Sequence, residues 1–180
     1  MKNNKVFKMA ATAMFTAMIF VLTRFISVPV ATGYVHFGDA LVYLVASVMG
    51  GPWGFFAAAV GEALADVASG WISYAPATLI VKALIALPFV LTWKKSEKIL
   101  TPLTALLTIP AGAITVLGYF VADLVIDKAY AAVNIPGNII QAVGSAVIFT
   151  VIAAAFDAAK LKKKLFLKGE VKNGGYCIYT

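Results

Sequence analysis

The residues of this chain that could do chemistry lie within or beside long apolar stretches. Glu62 and Asp66 are four apart, which on a helix puts both carboxylates on one face. Lys82 follows in the next stretch, with Thr78 one turn before it. Tyr119 and Asp123 share a face further on, and Asn138, Gln141 and Ser145 share one at the start of the last stretch. A charge at the centre of a membrane helix costs about 2.5–3.5 kcal/mol on insertion scales, so such groups face a bundle interior or a watery cavity. There they either pair with one another and fasten helices, or they touch a ligand. Lys82 is the leading ligand contact, because a buried ammonium beside a hydroxyl can hold an acceptor atom or an anionic group. Trp71 and Tyr74 sit in a short break, where they can stack on a flat ring or belong to an interfacial aromatic belt. Asp39 stands at a helix start, where its carboxylate suits an N-cap before it suits a ligand.

Catalytic machinery is missing. There is no G-x-x-x-x-G-K-[ST], no H-E-x-x-H and no G-x-S-x-G, and His36 is the sole histidine. ATP binding by a P-loop and metal- or serine-type intramembrane chemistry therefore have no visible basis. No catalytic residue, metal site or cofactor is expected. Cys177 is the single cysteine, so no intramolecular disulfide forms.

The elements that must position these residues follow from composition. Apolar residues make up 62% of the 180 and charged residues 13%, against about 45–50% and about 25% in soluble domains. The mean hydropathy is +0.91. One spanning helix takes roughly 20 apolar residues, so the length holds about six and little else. The pattern predicts an all-α integral membrane bundle of six transmembrane helices, over residues 6–28, 39–49, 53–69, 76–93, 102–126 and 137–159. All of 1–180 is one domain, with 160–180 as a basic tail. The first stretch exceeds a signal-peptide core of about 7–15 residues, so it reads as a retained helix.

The net charge of +7 points to topology rather than to nucleic acid. Lysines gather before helix 1, at Lys94, Lys95 and Lys98, and from Lys160 to Lys172. Basic residues near helix ends mark the cytoplasmic side, so both termini are expected there. The intramembrane polar groups then gather in the outer half, which suggests a cavity open outward. A channel would need a polar lining along its whole length. On helix 1, Ala10, Ala13 and Ala17 give the small-residue spacing that allows close helix approach in lipid.

Several of these residues also form motifs. Gly33-Tyr34-Val35-His36-Phe37-Gly38-Asp39-Ala40 resembles the G-[YF]-[IV]-N-L-G-D-A opening of helix 2 in substrate-binding (S) components of energy-coupling factor (ECF) vitamin transporters, with His36-Phe37 where the family pattern has Asn-Leu. Gly50-Gly51-Pro52-Trp53-Gly54 is similar to its G-P-x-x-G turn. Ala65-Asp66-Val67-Ala68-Ser69-Gly70 resembles A-D-[LI]-x-x-G, and Ala75 to Lys82 resembles A-P-x-T-L-[IV]-[IV]-K. Ala13 and Ala17 fit the A-x-x-x-A docking motif.

The resemblance implies capture of a flat heteroaromatic vitamin of the riboflavin, pyridoxine or hydroxymethylpyrimidine kind at the outer face of a prokaryotic plasma membrane. It implies docking through helix 1 on a transmembrane coupling subunit, with two cytoplasmic ATPase subunits supplying the energy. Lys82, Thr78, Asn138, Gln141, Trp71, Tyr74, Glu62, Asp66, Tyr119 and Asp39 are the candidate binding residues. The competing readings are a stand-alone proton-coupled carrier using Glu62 or Asp66, and a non-transporting assembly subunit.

Overall fold

The computed structural model describes residues 5–30 and 33–166; Cys177, Lys168 and Lys172 lie outside them. Eight helices and one hairpin make up the described chain. Helix α1 is Lys5–Phe25, followed by strands β1 Ser27–Val30 and β2 Gly33–His36. Then come α2 Gly38–Met49, α3 Gly51–Ala68, α4 Ala75–Thr92, a single 3₁₀ turn Trp93–Lys95, and α5 Pro102–Ile126. Short α6 Lys128–Ala131, long α7 Ile135–Ala158 and short α8 Leu161–Leu165 complete it. Prolines Pro52, Pro76, Pro102 and Pro136 stand in the first turns of α3, α4, α5 and α7, where the missing N–H would have had no helical partner. Thr101 and Thr104 cap α5 reciprocally, each side chain accepting from the other's backbone N–H.

Four helices, α1, α4, α5 and α7, are long and apolar enough to cross a membrane. Their outer faces carry exposed Val125 (82%), Leu91 (69%) and Val151 (65%), a surface that suits hydrocarbon rather than water. Helix α2 is different: it has 12 residues, all of them buried. At 1.5 Å per residue it is about 18 Å long, well short of a hydrocarbon core of about 30 Å. It runs through the centre of the bundle, against α1, α3, α4 and α7. Helix α3 has 18 residues but carries Glu62 and Asp66. It packs tightly on α1 at Gly61, where a Cβ would lie 2.7 Å from the Ile19 Cβ.

The sequence reading needs two corrections here. Residues 27–28 are not the end of helix 1, and the connection to α2 is not plain loop. Ser27 pairs with His36 and Val30 with Gly33 in an antiparallel hairpin. Asp39 is not an N-cap: α2 begins at Gly38 with no side-chain cap bond, and the Asp39 carboxylate is turned into the core. In addition, α6 lies within the predicted 127–136 loop, and α8 within the predicted basic tail.

The bundle has two chemically distinct ends. The hairpin, the α3–α4 turn and the α5–α7 connection meet at one. The α2–α3 turn, the α4–α5 connection and α8 meet at the other. Gly50 in the α2–α3 turn sits so close to the Trp93 ring that no Cβ could fit, and its φ of 55° favours glycine. Asp157 accepts from the Ile99 and Leu100 amides at 2.7 and 2.8 Å. Lys162 is buried and donates to the Trp93 and Ser96 carbonyls at 2.6 and 2.9 Å. Phe166 packs on Phe7 and Phe15 of α1. The first and last described helices thus meet at this lysine-rich end.

Candidate functional site

The opposite end holds a cavity of about 490 Å³, within the usual 300–1,000 Å³ of small-molecule sites. Four segments build it. The hairpin gives Tyr34, His36 and Phe37; the α3–α4 turn gives Asp66, Trp71 and Tyr74; α5 gives Tyr119 and Asp123; and the α7 start gives Asn134, Asn138 and Gln141. Five of the lining side chains, Tyr34, Phe37, Trp71, Tyr74 and Tyr119, are aromatic. Trp71 meets Tyr74 edge-on at 5.9 Å, and Tyr34 lies 5.4 Å from His36.

The polar groups of the wall are held by hydrogen bonds. Asp66 accepts from the Tyr34 and Thr78 hydroxyls, both at 2.5 Å, and the Thr78 hydroxyl lies 3.0 Å from the Tyr119 hydroxyl. Burial pushes the Tyr34 phenol up, and the adjacent Asp66 charge adds to this, so Tyr34 keeps its proton and donates. Asp123 accepts from the Tyr74 hydroxyl at 2.7 Å and the Asn134 amide at 3.0 Å.

Beneath this wall lies a buried ionic cluster. Lys82 Nζ is 2.5 Å from Asp39 Oδ1 and 3.1 Å from Glu62 Oε2, with all three side chains fully buried. The Nζ also stands 5.0 Å from the centroid of the Tyr119 ring, within cation–π range. Gln141 connects the cluster to the cavity: its Nε2 donates to Asp39 Oδ2 at 3.2 Å, and its Oε1 accepts from the His36 amide at 3.4 Å. The His36 Nδ1 accepts from the Gly38 amide, which leaves the ring proton on Nε2. That nitrogen faces Glu62 Oε2 at 3.6 Å. One ammonium therefore ties α4 to α2 and α3 by ion pairs, and to α7 through Asp39.

Burial holds the His36 imidazole down at a pKa of about 3, with the Lys82 charge acting the same way and Asp39 opposing. The ordinary value is 6.5. Between these values the unfolded chain binds a proton that the folded chain refuses, so stability falls as pH drops through the window. The loss from this group approaches about 1.4 kcal/mol per pH unit. Thermal unfolding in detergent at pH 7 and pH 5 measures it. His36→Asn should flatten the slope; an unchanged slope assigns the pH dependence to other groups.

Of the ten candidate binding residues, Asp66, Trp71, Tyr74, Tyr119, Asn138 and Gln141 line the cavity. Lys82, Asp39, Glu62 and Thr78 stand behind it, bonded to lining residues or to one another. Arg24 lies apart from the cluster, over the Phe25 ring. The sequence reading did not select Tyr34, His36, Phe37 or Asn134 as site residues, and it noted Asp123 without assigning it a role. Tyr34 and His36 lay in the expected connection between helices 1 and 2, and the hairpin that pairs Ser27–Val30 with Gly33–His36 was not expected there. Deeper in the core, the hydroxyls of Tyr43, Ser47, Thr115 and Ser145 continue the polar row inward from Asp39 and Gln141.

The chain is similar to known proteins in two respects. Residues 3–158 match the family described as ECF-type riboflavin transporter, S component. A Pyrococcus woesei protein described as an uncharacterized protein in gap 3′ region is 35% identical over 124 residues, 68% of this chain and 82% of that protein.

Proposed function

We propose a substrate-capture role, from the premise that this chain belongs to the ECF-type riboflavin transporter S component family. It is a multi-pass membrane protein and a transporter component, not an enzyme. Its task in this reading is to bind a flat heteroaromatic vitamin or precursor at the outer face of a prokaryotic plasma membrane. The observation that carries the reading is the aromatic, hydrogen-bonded cavity at the end of the bundle away from the lysines.

In this reading the chain crosses six times, with α2 and α3 as the short second and third passes, and both termini are cytoplasmic. The lysine-rich end supports that orientation through the cytoplasmic preference of basic residues. Trp71, Tyr74 and Tyr119 would flank the ring of the vitamin. Asn138, Gln141 and Asp66 would take its polar groups. Lys82, with Asp39, Glu62 and Thr78, holds these contacts in place from behind. Onward passage falls to a transmembrane coupling subunit docked on α1 and to two cytoplasmic ATPase subunits. Ala10, Ala13 and Ala17 are all exposed, which suits such a docking face.

A titration of the purified protein against a panel of heteroaromatic vitamins tests the reading. One of them should bind tightly and quench Trp71 emission, and Trp71→Phe should remove most of that signal. Binding of none would overturn the capture role.

A further inference from the structure

We infer that the cavity selects its ligand by charge, accepting an uncharged or cationic aromatic rich in hydrogen-bond donors and rejecting the phosphorylated form of the same molecule. The inference deepens the capture role proposed above and rests on it.

Among the described residues the cavity wall holds two carboxylates, Asp66 and Asp123, and no lysine or arginine. Ala31 and Thr32, the two residues between the strands, carry no charge. Among the described residues the one buried cation at this end is Lys82, and it is committed to Asp39 and Glu62 behind the wall. Arg24 and Lys128, the other cations towards this end of the bundle, are not part of the wall. His36 lines the cavity but is held neutral, its Nδ1 accepting from Gly38 and its Nε2 turned to Glu62. A phosphate dianion would therefore meet carboxylates without any countercharge. In a cavity walled by protein such repulsion is screened less than in bulk water.

The hydrogen-bonding capacity left over points the same way. Each oxygen of Asp66 and Asp123 accepts one bond, and a carboxylate oxygen has room for a second. The Tyr34 and Tyr74 hydroxyls have spent their protons on Asp66 and Asp123, so they face a ligand as acceptors. The Asn138 side chain has no intramolecular partner among the described residues and keeps a complete amide. Gln141 keeps one free N–H. Acceptors thus outnumber donors, and hydroxyl or N–H groups on the ligand match them where phosphate oxygens do not.

Paired titrations of the full-length protein in detergent test this: riboflavin against riboflavin 5′-phosphate, and pyridoxine against pyridoxine 5′-phosphate. For whichever parent binds, its phosphate ester should bind at least 100-fold more weakly. The uncharged acetyl ester, of comparable bulk, should lose less than tenfold. A phosphate ester that binds within threefold of its parent overturns the inference and leaves the capture role standing. Equal rejection of both esters also overturns it, since size would then explain the result. If no parent binds, the capture role fails and the inference fails with it. Asp123→Asn and Asp66→Asn should each narrow the ratio between parent and phosphate ester at least threefold. A ratio unchanged in both, with folding intact, refutes the assignment to these carboxylates. Should neither variant fold, the native ratios decide.

Discussion

Lys82→Met lowers the stability of the protein in detergent by about 3–5 kcal/mol, the usual result of removing one partner from a buried ion pair. The reason is geometric. Asp39 and Glu62 are both fully buried, and each faces the same ammonium. Without it, two carboxylates share an apolar core and repel. Methionine keeps nearly the same length and bulk, so the loss reads charge rather than cavity. At about 2–4 °C per kcal/mol for a chain of this size, the melting temperature should fall by roughly 6–20 °C. Adding Asp39→Asn and Glu62→Gln to Lys82→Met should recover much of the loss. A shift under 2 °C would show that the cluster contributes little. Ligand affinity should also fall by tenfold or more, about 1.4 kcal/mol, because the Asp39 carboxylate that holds Gln141 loses its own anchor. Full affinity in a folded Lys82→Met protein would separate the cluster from the binding site.

Ala13→Trp should reduce uptake to background in cells that contain the coupling and ATPase subunits, with ligand affinity unchanged. Ala13 lies on the exposed side of α1 with Ala10 and Ala17, flanked by exposed Met14 and Met18. A row of small side chains lets another helix approach closely in lipid, where packing rather than hydrophobic burial drives association. An indole there would hold the helices apart. It touches no cavity residue, which is why binding should survive. Normal uptake by Ala13→Trp would exclude this face as the docking site.

These residues also show how much the sequence could reveal. The cost of charge in hydrocarbon marks Lys82, Glu62 and Asp66 from the sequence alone. It could not distinguish a ligand contact from an ion pair, because spacing gives the shared face of one helix and not the partner helix. Asp39 illustrates the same limit. Its position at the start of α2 suggested a cap, yet tertiary attraction to Lys82 turned the carboxylate inward. The hairpin was missed for another reason. Ser27-Val28-Pro29-Val30 continues the apolar run of α1, so hydropathy could not separate strand from helix. Tyr34 and His36 fell in the connection between helices 1 and 2, where spacing alone does not show which side chains face a cavity. Lys162 was read as one topological charge among many, since counting lysines cannot show that its ammonium closes on two carbonyls.

The contacts of Lys162 and Asp157 have a mechanical meaning. Between them they bind two carbonyls and two amides of the α4–α5 connection, while Phe166 grips α1 and Trp93 fills the space above Gly50. Among the described residues, the α4–α5 connection is thus tied to both α7 and α8. A push on α1 at that end meets Phe166 directly, and Lys162 passes it to the α4–α5 connection.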